Sequence, residues 1–153
     1  MEDLQRIIRA HPFFAGLSDA FSELIGGCAR NVVFAEGDHL FRQGEEADAL
    51  YLLRSGQVAL EITAPGRGTM TFLTLGPGDV VGVSWLVPPY RWSYDARVVE
   101  PTRAIAMDAH CLRRKCEDDP ALGYELMKRF VPVLSQRLQA ARLQMLDVYG
   151  PDG

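Results

Sequence analysis

Between residues 31 and 79 glycine-bearing turns interrupt the chain about every eight to twelve residues, and only short apolar stretches lie between them. The turns are Glu36-Gly37-Asp38, Gln43-Gly44-Glu45, Ser55-Gly56, Pro65-Gly66-Arg67-Gly68 and Gly76-Pro77-Gly78-Asp79. The apolar stretches fall at 32–34, 39–42, 49–54, 58–63 and 69–75, and two further ones at 94–99 and 102–107 meet at Glu100-Pro101. No stretch in this region has room for a crossover helix, so a parallel sheet is excluded. The pattern predicts a mainly β fold, a compact β-roll or barrel, with helices only at its flanks. With 153 residues, 48% of them hydrophobic, one domain with its own core is expected.

The flanks read differently. Leu4, Ile7 and Ile8 have helical spacing up to the break at His11-Pro12. Ser18 is a candidate N-cap for a second short helix that Gly26-Gly27 ends. After residue 108, Asp118-Asp119-Pro120 forms a helix entrance with acids at the positive end of the dipole. The apolar positions Met127, Val131, Leu134, Leu138, Ala141, Met145 and Val148 then follow in alternating steps of four and three, a heptad seam. Such a seam covers either the chain's own barrel or a partner helix. Its persistence to Val148 predicts a homodimer through this helix. Pro132 is expected to kink the helix or to divide it. The organisation is one domain over 1–153, with helices in 1–29, the roll in 30–109 and helices in 110–149.

Charge and composition exclude several functions. The formal charge of −4 gives no bulk attraction to nucleic acid or anionic membrane. The first residues lack the apolar core of a signal peptide, and no apolar run reaches the ~20 residues that span a bilayer. A cytoplasmic location is expected. Cys28, Cys111 and Cys116 are odd in number and lack paired-thiolate spacing, so no disulfide is expected. His110, Cys111 and Cys116 are too few for a metal site, and no cluster suited to an iron–sulfur group is present. No Ser-His-Asp or Cys-His arrangement stands out, so the chain is read as non-catalytic.

Three segments carry a family resemblance. They are the run from Gly37-Asp38-His39 to Ser55-Gly56-Gln57-Val58, the run Leu75-Gly76-Pro77-Gly78-Asp79-Val80-Val81-Gly82, and the late helix with Arg137-Leu138-Gln139 and Leu146-Asp147-Val148. Together they resemble the cyclic-nucleotide-binding domain of the catabolite-activator (Crp/Fnr-like) family of bacterial regulators, over nearly the whole chain. The resemblance implies an eight-stranded, double-stranded β-roll of the jelly-roll, cupin-like kind, followed by a long C-terminal helix that usually dimerises. In the family's gene regulators a DNA-binding domain follows that helix. This chain carries no such element, and a stand-alone sensor or adaptor is expected.

The resemblance also places the ligand site at residues 82–94, capped from the long helix near Gln136 and Arg137. Gly82 matches the glycine that starts the phosphate-binding turn. The acid that normally follows, which holds the ribose, is Val83 here. The arginine that neutralises the phosphate is replaced by Trp92, with Ser93 beside it. Ser84 and Arg91 are the remaining polar candidates, and Trp85, Tyr90 and Tyr94 crowd the segment with aromatic rings. Weak or no binding of cAMP or cGMP is therefore expected, since a buried phosphate needs a charge partner. Three readings stay open: an altered pocket for a small anionic or aromatic ligand, a plugged and ligand-free interaction module, or a true cyclic-nucleotide site using Arg91. No cofactor is assigned.

Overall fold

A computed structural model describes residues 4–149, without the side chains of residues 144, 145 and 147–149. The N-terminal flank holds α1 (Leu4–Ala10), a single 3-10 turn (Pro12–Phe14) and α2 (Asp19–Gly26). Ser18 caps α2 by accepting a hydrogen bond from the Phe21 N–H. The strands are β1 (Ala29–Phe34), β2 (His39–Phe41), β3 (Ala49–Ala64), β4 (Gly68–Leu75), β5 (Val80–Val81) and β6 (Asp95–Asp108). Two helices follow, α3 (Ala109–Asp118) and α4 (Pro120–Tyr149).

All six strands belong to one antiparallel system ordered β1-β6-β3-β4, with β2 on β6 and β5 on β3. The expected stretches 49–54 and 58–63 are one strand, β3, and 94–99 and 102–107 are joined as β6. Register shifts between Leu53 and Val58 mark where the pair β3–β6 bends. Glycine is required at that bend. Gly56 has φ +94, and a Cβ there would sit 2.3 Å from Thr102 Oγ1 and 2.5 Å from Pro101 O. Counted across their bends, these strands supply the eight segments of the roll.

The core fills the roll and continues under the helices. Leu50, Leu52, Leu53, Val58, Leu60, Val98 and Ile105 are wholly buried, and so are Leu122 and Phe130 on α4. Pro132 does not divide α4, which runs as one helix through it. The inner face of α4 carries Leu122, Leu126, Phe130 and Arg137 against the roll. An adjoining face exposes Met127, Val131, Leu134 and Leu138, with Leu138 at 62%. Ala141 is half-buried, while Met145 and Val148 lie outside the described side chains.

One expectation is overturned. Cys28 and Cys111 are joined by a disulfide, with Cα atoms 5.7 Å apart and a sequence separation of 83. The cause lies in strand pairing. Ala29 stands opposite Met107 in the β1–β6 ladder, and the Asp108 N–H donates to Cys28 O at 2.9 Å. The ladder thus delivers Cys28 to the first turn of α3, where Cys111 lies. Cys116 is the free thiol.

His11 joins the N-terminal segment to the roll. Its Nδ1 accepts from the Phe13 N–H at 3.2 Å, and its Nε2 lies 3.1 Å from Leu53 O, so Nε2 carries the proton of a neutral ring. Burial holds its pKa below the ordinary 6.5, against the smaller opposing pull of Leu53 O and Asp79. Unfolded chain therefore takes up a proton that the folded ring refuses. This group's full contribution is present above the unfolded value and falls as pH drops below it toward the folded value. Urea melts should show stability declining as pH falls below the ordinary 6.5, and His11→Gln should remove that part of the slope.

Candidate functional site

β5 ends at Val81, and the next residues leave the roll in an unusual conformation. Gly82 has φ +105 and is wholly enclosed. A Cβ added there would lie 2.8 Å from Trp92 Cη2 and 3.1 Å from Trp92 Cζ3. The indole of Trp92 thus packs directly against the Gly82 backbone. It also stacks on Phe41 at 3.7 Å between ring centroids, 7° from parallel, and only 3% of Trp92 is exposed. The 3-10 turn that follows, Ser84–Leu86, spans three residues, and Val83 before it offers no side-chain cap.

The sequence-predicted residues divide into two sets. Gly82, Val83, Ser84, Trp85, Trp92, Tyr94 and Arg137 are buried, whereas Arg91, Ser93 and Gln136 are exposed. Arg91 lies on the outside, where its Nη1 donates to Gly44 O at 3.3 Å. Asp95 and Arg97 do not pair with each other. Asp95 accepts from the Gln43 N–H, and Arg97 makes a two-pronged contact with Glu61. Trp85 is sealed from solvent and meets Phe130 of α4 edge-on at 5.4 Å, with its Nε1 unpartnered.

Arg137 reaches from α4 to the mouth of the roll. It is 6% exposed and donates from Nη2 to Val80 O. Its Nε and Nη1 have no partner, and neither does the Tyr94 hydroxyl. Burial raises the Tyr94 pKa, while the neighbouring Arg137 works the other way. Two guanidinium N–H donors are left over here, beside a hydroxyl that can donate or accept. A buried guanidinium satisfied at one nitrogen is costly and favours any acceptor that reaches it.

Sequence reading missed Arg113. From α3 its Nη1 donates to Trp85 O at 2.7 Å, its Nη2 lies 3.1 Å from His110 Nδ1, and its guanidinium sits 4.2 Å over the Tyr90 ring. Tyr90 itself has φ +57, a strained value for a residue with a side chain. No local pattern distinguishes Arg113 from the other basic residues of α3, because its partners lie in another segment. Among the described residues no group of three or more His, Cys, Asp or Glu side chains is placed to hold a metal. No described helix is long and apolar enough to cross a membrane.

Trp92 and Arg91 make opposite demands on the fold. Trp92→Ala should leave a cavity against Phe41 and Gly82 and lower stability by about 3–5 kcal/mol. Arg91→Ala, at the surface, should change it by less than about 0.5 kcal/mol. Denaturant melts of both variants check this, and a small loss for Trp92→Ala would contradict the packing described.

Comparison with known proteins agrees with this architecture. The sequence model described as "Cyclic nucleotide-binding domain" matches residues 31–119. The CRP-like cAMP-activated global transcriptional regulator of Mycobacterium tuberculosis is 26% identical over 97% of this chain, which spans 65% of that regulator. The cyclic AMP receptor protein of Thermus thermophilus is 30% identical over 90% of the chain, which spans 62% of that receptor. Among solved structures, a Geobacter metallireducens GS-15 protein described as cyclic nucleotide-binding superposes with a TM-score of 0.78 at 31% identity, covering 90% of this chain and 99% of its own.

Proposed function

The chain belongs to the cyclic nucleotide-binding domain family, and we propose that within it this protein is a non-catalytic, dimeric regulatory module whose nucleotide site is filled by its own Trp92. The observation that carries this reading is the contact of the Trp92 ring with Gly82. In relatives that hold a cyclic phosphate, the glycine amides and an arginine face the ligand. Here the indole takes the space in front of the glycine, Val83 brings no acceptor, and Arg91 is engaged outside. A cyclic nucleotide would have to expel a stacked tryptophan and enter without a cassette cation. Isothermal calorimetry with cAMP and with cGMP is expected to show dissociation constants weaker than about 1 μM, or about −8 kcal/mol, and a tighter constant overturns the reading.

The output surface is the outer face of α4. Met127, Val131, Leu134 and Leu138 form an exposed apolar row on a helix whose adjoining face is committed to the roll. A second copy in parallel would bury that row by the same heptad geometry on both helices. Sedimentation is expected to give a dimer at tens of micromolar. Leu138→Asp, which would place an unpaired charge in that seam, should give a folded monomer. A wild-type monomer would remove α4 as the assembly element.

A second reading is an altered pocket for a small ligand, and the unpartnered nitrogens of Arg137 beside the Tyr94 hydroxyl favour it. Such a ligand would bring an oxyanion to these donors and displace α4 from its contact with Val80. A screen of small carboxylates and phosphates by thermal shift separates the two readings, because the filled module gains no stability from any of them.

A further inference from the structure

The regulatory reading leaves the input to the module open, and the disulfide supplies one. We propose that Cys28 and Cys111 form a reversible thiol–disulfide site, opened by a dithiol reductant and closed by a disulfide oxidant, that sets the position of α3 and, through Arg113, the conformation of the 82–92 loop. The inference rests on the proposed regulatory function for its output. Its chemistry is independent of any nucleotide.

The bond is placed where exchange can reach it. Cys28 is 6% exposed, whereas Cys111 is half-buried and lines a surface cleft of about 440 Å³ with Asp108, His110, Arg114, Lys115 and Asp118. Asp108 is already engaged, accepting from the Cys111 N–H at 2.7 Å as the cap of α3. The ammonium of Lys115 lies within 3.9 Å of where a Cβ on Gly27 would stand, next to Cys28. Sulfurs leaving as thiolates stand at the positive end of α3, in a cleft whose cations Arg114 and Lys115 face the carboxylates Asp108 and Asp118.

The step balances as ordinary exchange. A thiolate of the reductant attacks Cys111 Sγ, the Cys28–Cys111 bond breaks, and Cys28 leaves as a thiolate that takes a proton. The second thiol of the reductant attacks the mixed disulfide, and Cys111 leaves and is protonated in turn. Two electrons and two protons pass to the protein, and the dithiol becomes a disulfide. Cys116 stands apart from this cycle. Burial first, and then Asp119 and Glu117, push its thiol pKa up and keep it protonated.

Coupling follows from the spacing on α3. Cys111 and Arg113 are two residues apart on one helix. Arg113 holds Trp85 O and the Tyr90 ring, so the disulfide and the loop are tied to the two ends of the same short lever. Buried Leu112 and the hydrogen bond from Ala109 N to Asp48 O keep α3 on the roll when the disulfide opens. Reduction thus loosens the first turn of α3 without unfolding the domain, and Tyr90, held at φ +57, is free to relax.

The test compares the full chain equilibrated with oxidised glutathione and with excess dithiothreitol. Alkylation is read by peptide mass, and amide hydrogen exchange is followed over residues 82–92. Oxidised protein is expected to alkylate at Cys116 alone, and reduced protein at Cys28, Cys111 and Cys116. Exchange in the loop should be at least about fivefold faster after reduction and should return on reoxidation. Cys116→Ser should keep both responses. Arg113→Met should keep the thiol cycle and lose the loop response. Alkylation of Cys28 in the oxidised protein, a bond that excess dithiothreitol leaves closed in the folded chain, or equal loop exchange in both states would each overturn the proposal. Tight nucleotide binding would instead sink the proposed function and leave the thiol count untouched.

Discussion

The pairing of β3 with β6 is the contact on which the rest of the molecule hangs. β4 and β5 attach to β3, and β1 and β2 attach to β6. Both long strands must turn over together, and they do so where Gly56 lets the backbone press against Pro101 and Thr102. A side chain there would hold the strands apart and spoil the register on both sides of the bend. That register decides what lies above it. It sets β5 beside Tyr51 and Leu52 and so aims Gly82, and it brings the end of β6 to the first turn of α3 beside Cys28.

From this frame the loop after β5 is held at three places by different forces. Trp92 is fastened by stacking on Phe41 and contact with Gly82. Trp85 is fastened by apolar burial against Phe130 and by the donation from Arg113. The mouth of the roll is closed by Arg137, which reaches Val80 O while leaving two of its nitrogens unpaired. The Trp92 stack is complete, whereas Trp85 and Arg137 each keep buried nitrogen without a partner.

Much of the fold was legible because its signals are local. Glycine-bearing turns announced the roll, Ser18 announced the start of α2, and four residues of the heptad seam, Met127, Val131, Leu134 and Leu138, are exposed. The departures needed distances the sequence does not display. Two strands that merged across a bend read as four, because a turn and a bend use the same residues, Ser55-Gly56 and Glu100-Pro101. Pro132 read as a kink or a division, and the helix is not divided there. Cys28 and Cys111 read as unrelated, since their meeting depends on the β1–β6 ladder and not on spacing. At the site itself the replaced residues Val83 and Trp92 were visible by position. That Arg137 is buried, and that Arg113 grips the loop, emerged only from the packing of the helices.

Helix α4 is shared between two surfaces. Leu122, Leu126 and Phe130 belong to the roll, and Met127, Val131 and Leu134 to the open side, interleaved along one backbone. Each residue step turns a helix by about 100°, so neither face can rotate without carrying the other with it. Anything laid along the outer face therefore does work on the inner one. By reciprocity, the free energy with which a companion helix tightens or loosens the seat of Arg137 equals the free energy with which that seat tightens or loosens the grip on the companion. The helix is in this sense a single degree of freedom read from two sides.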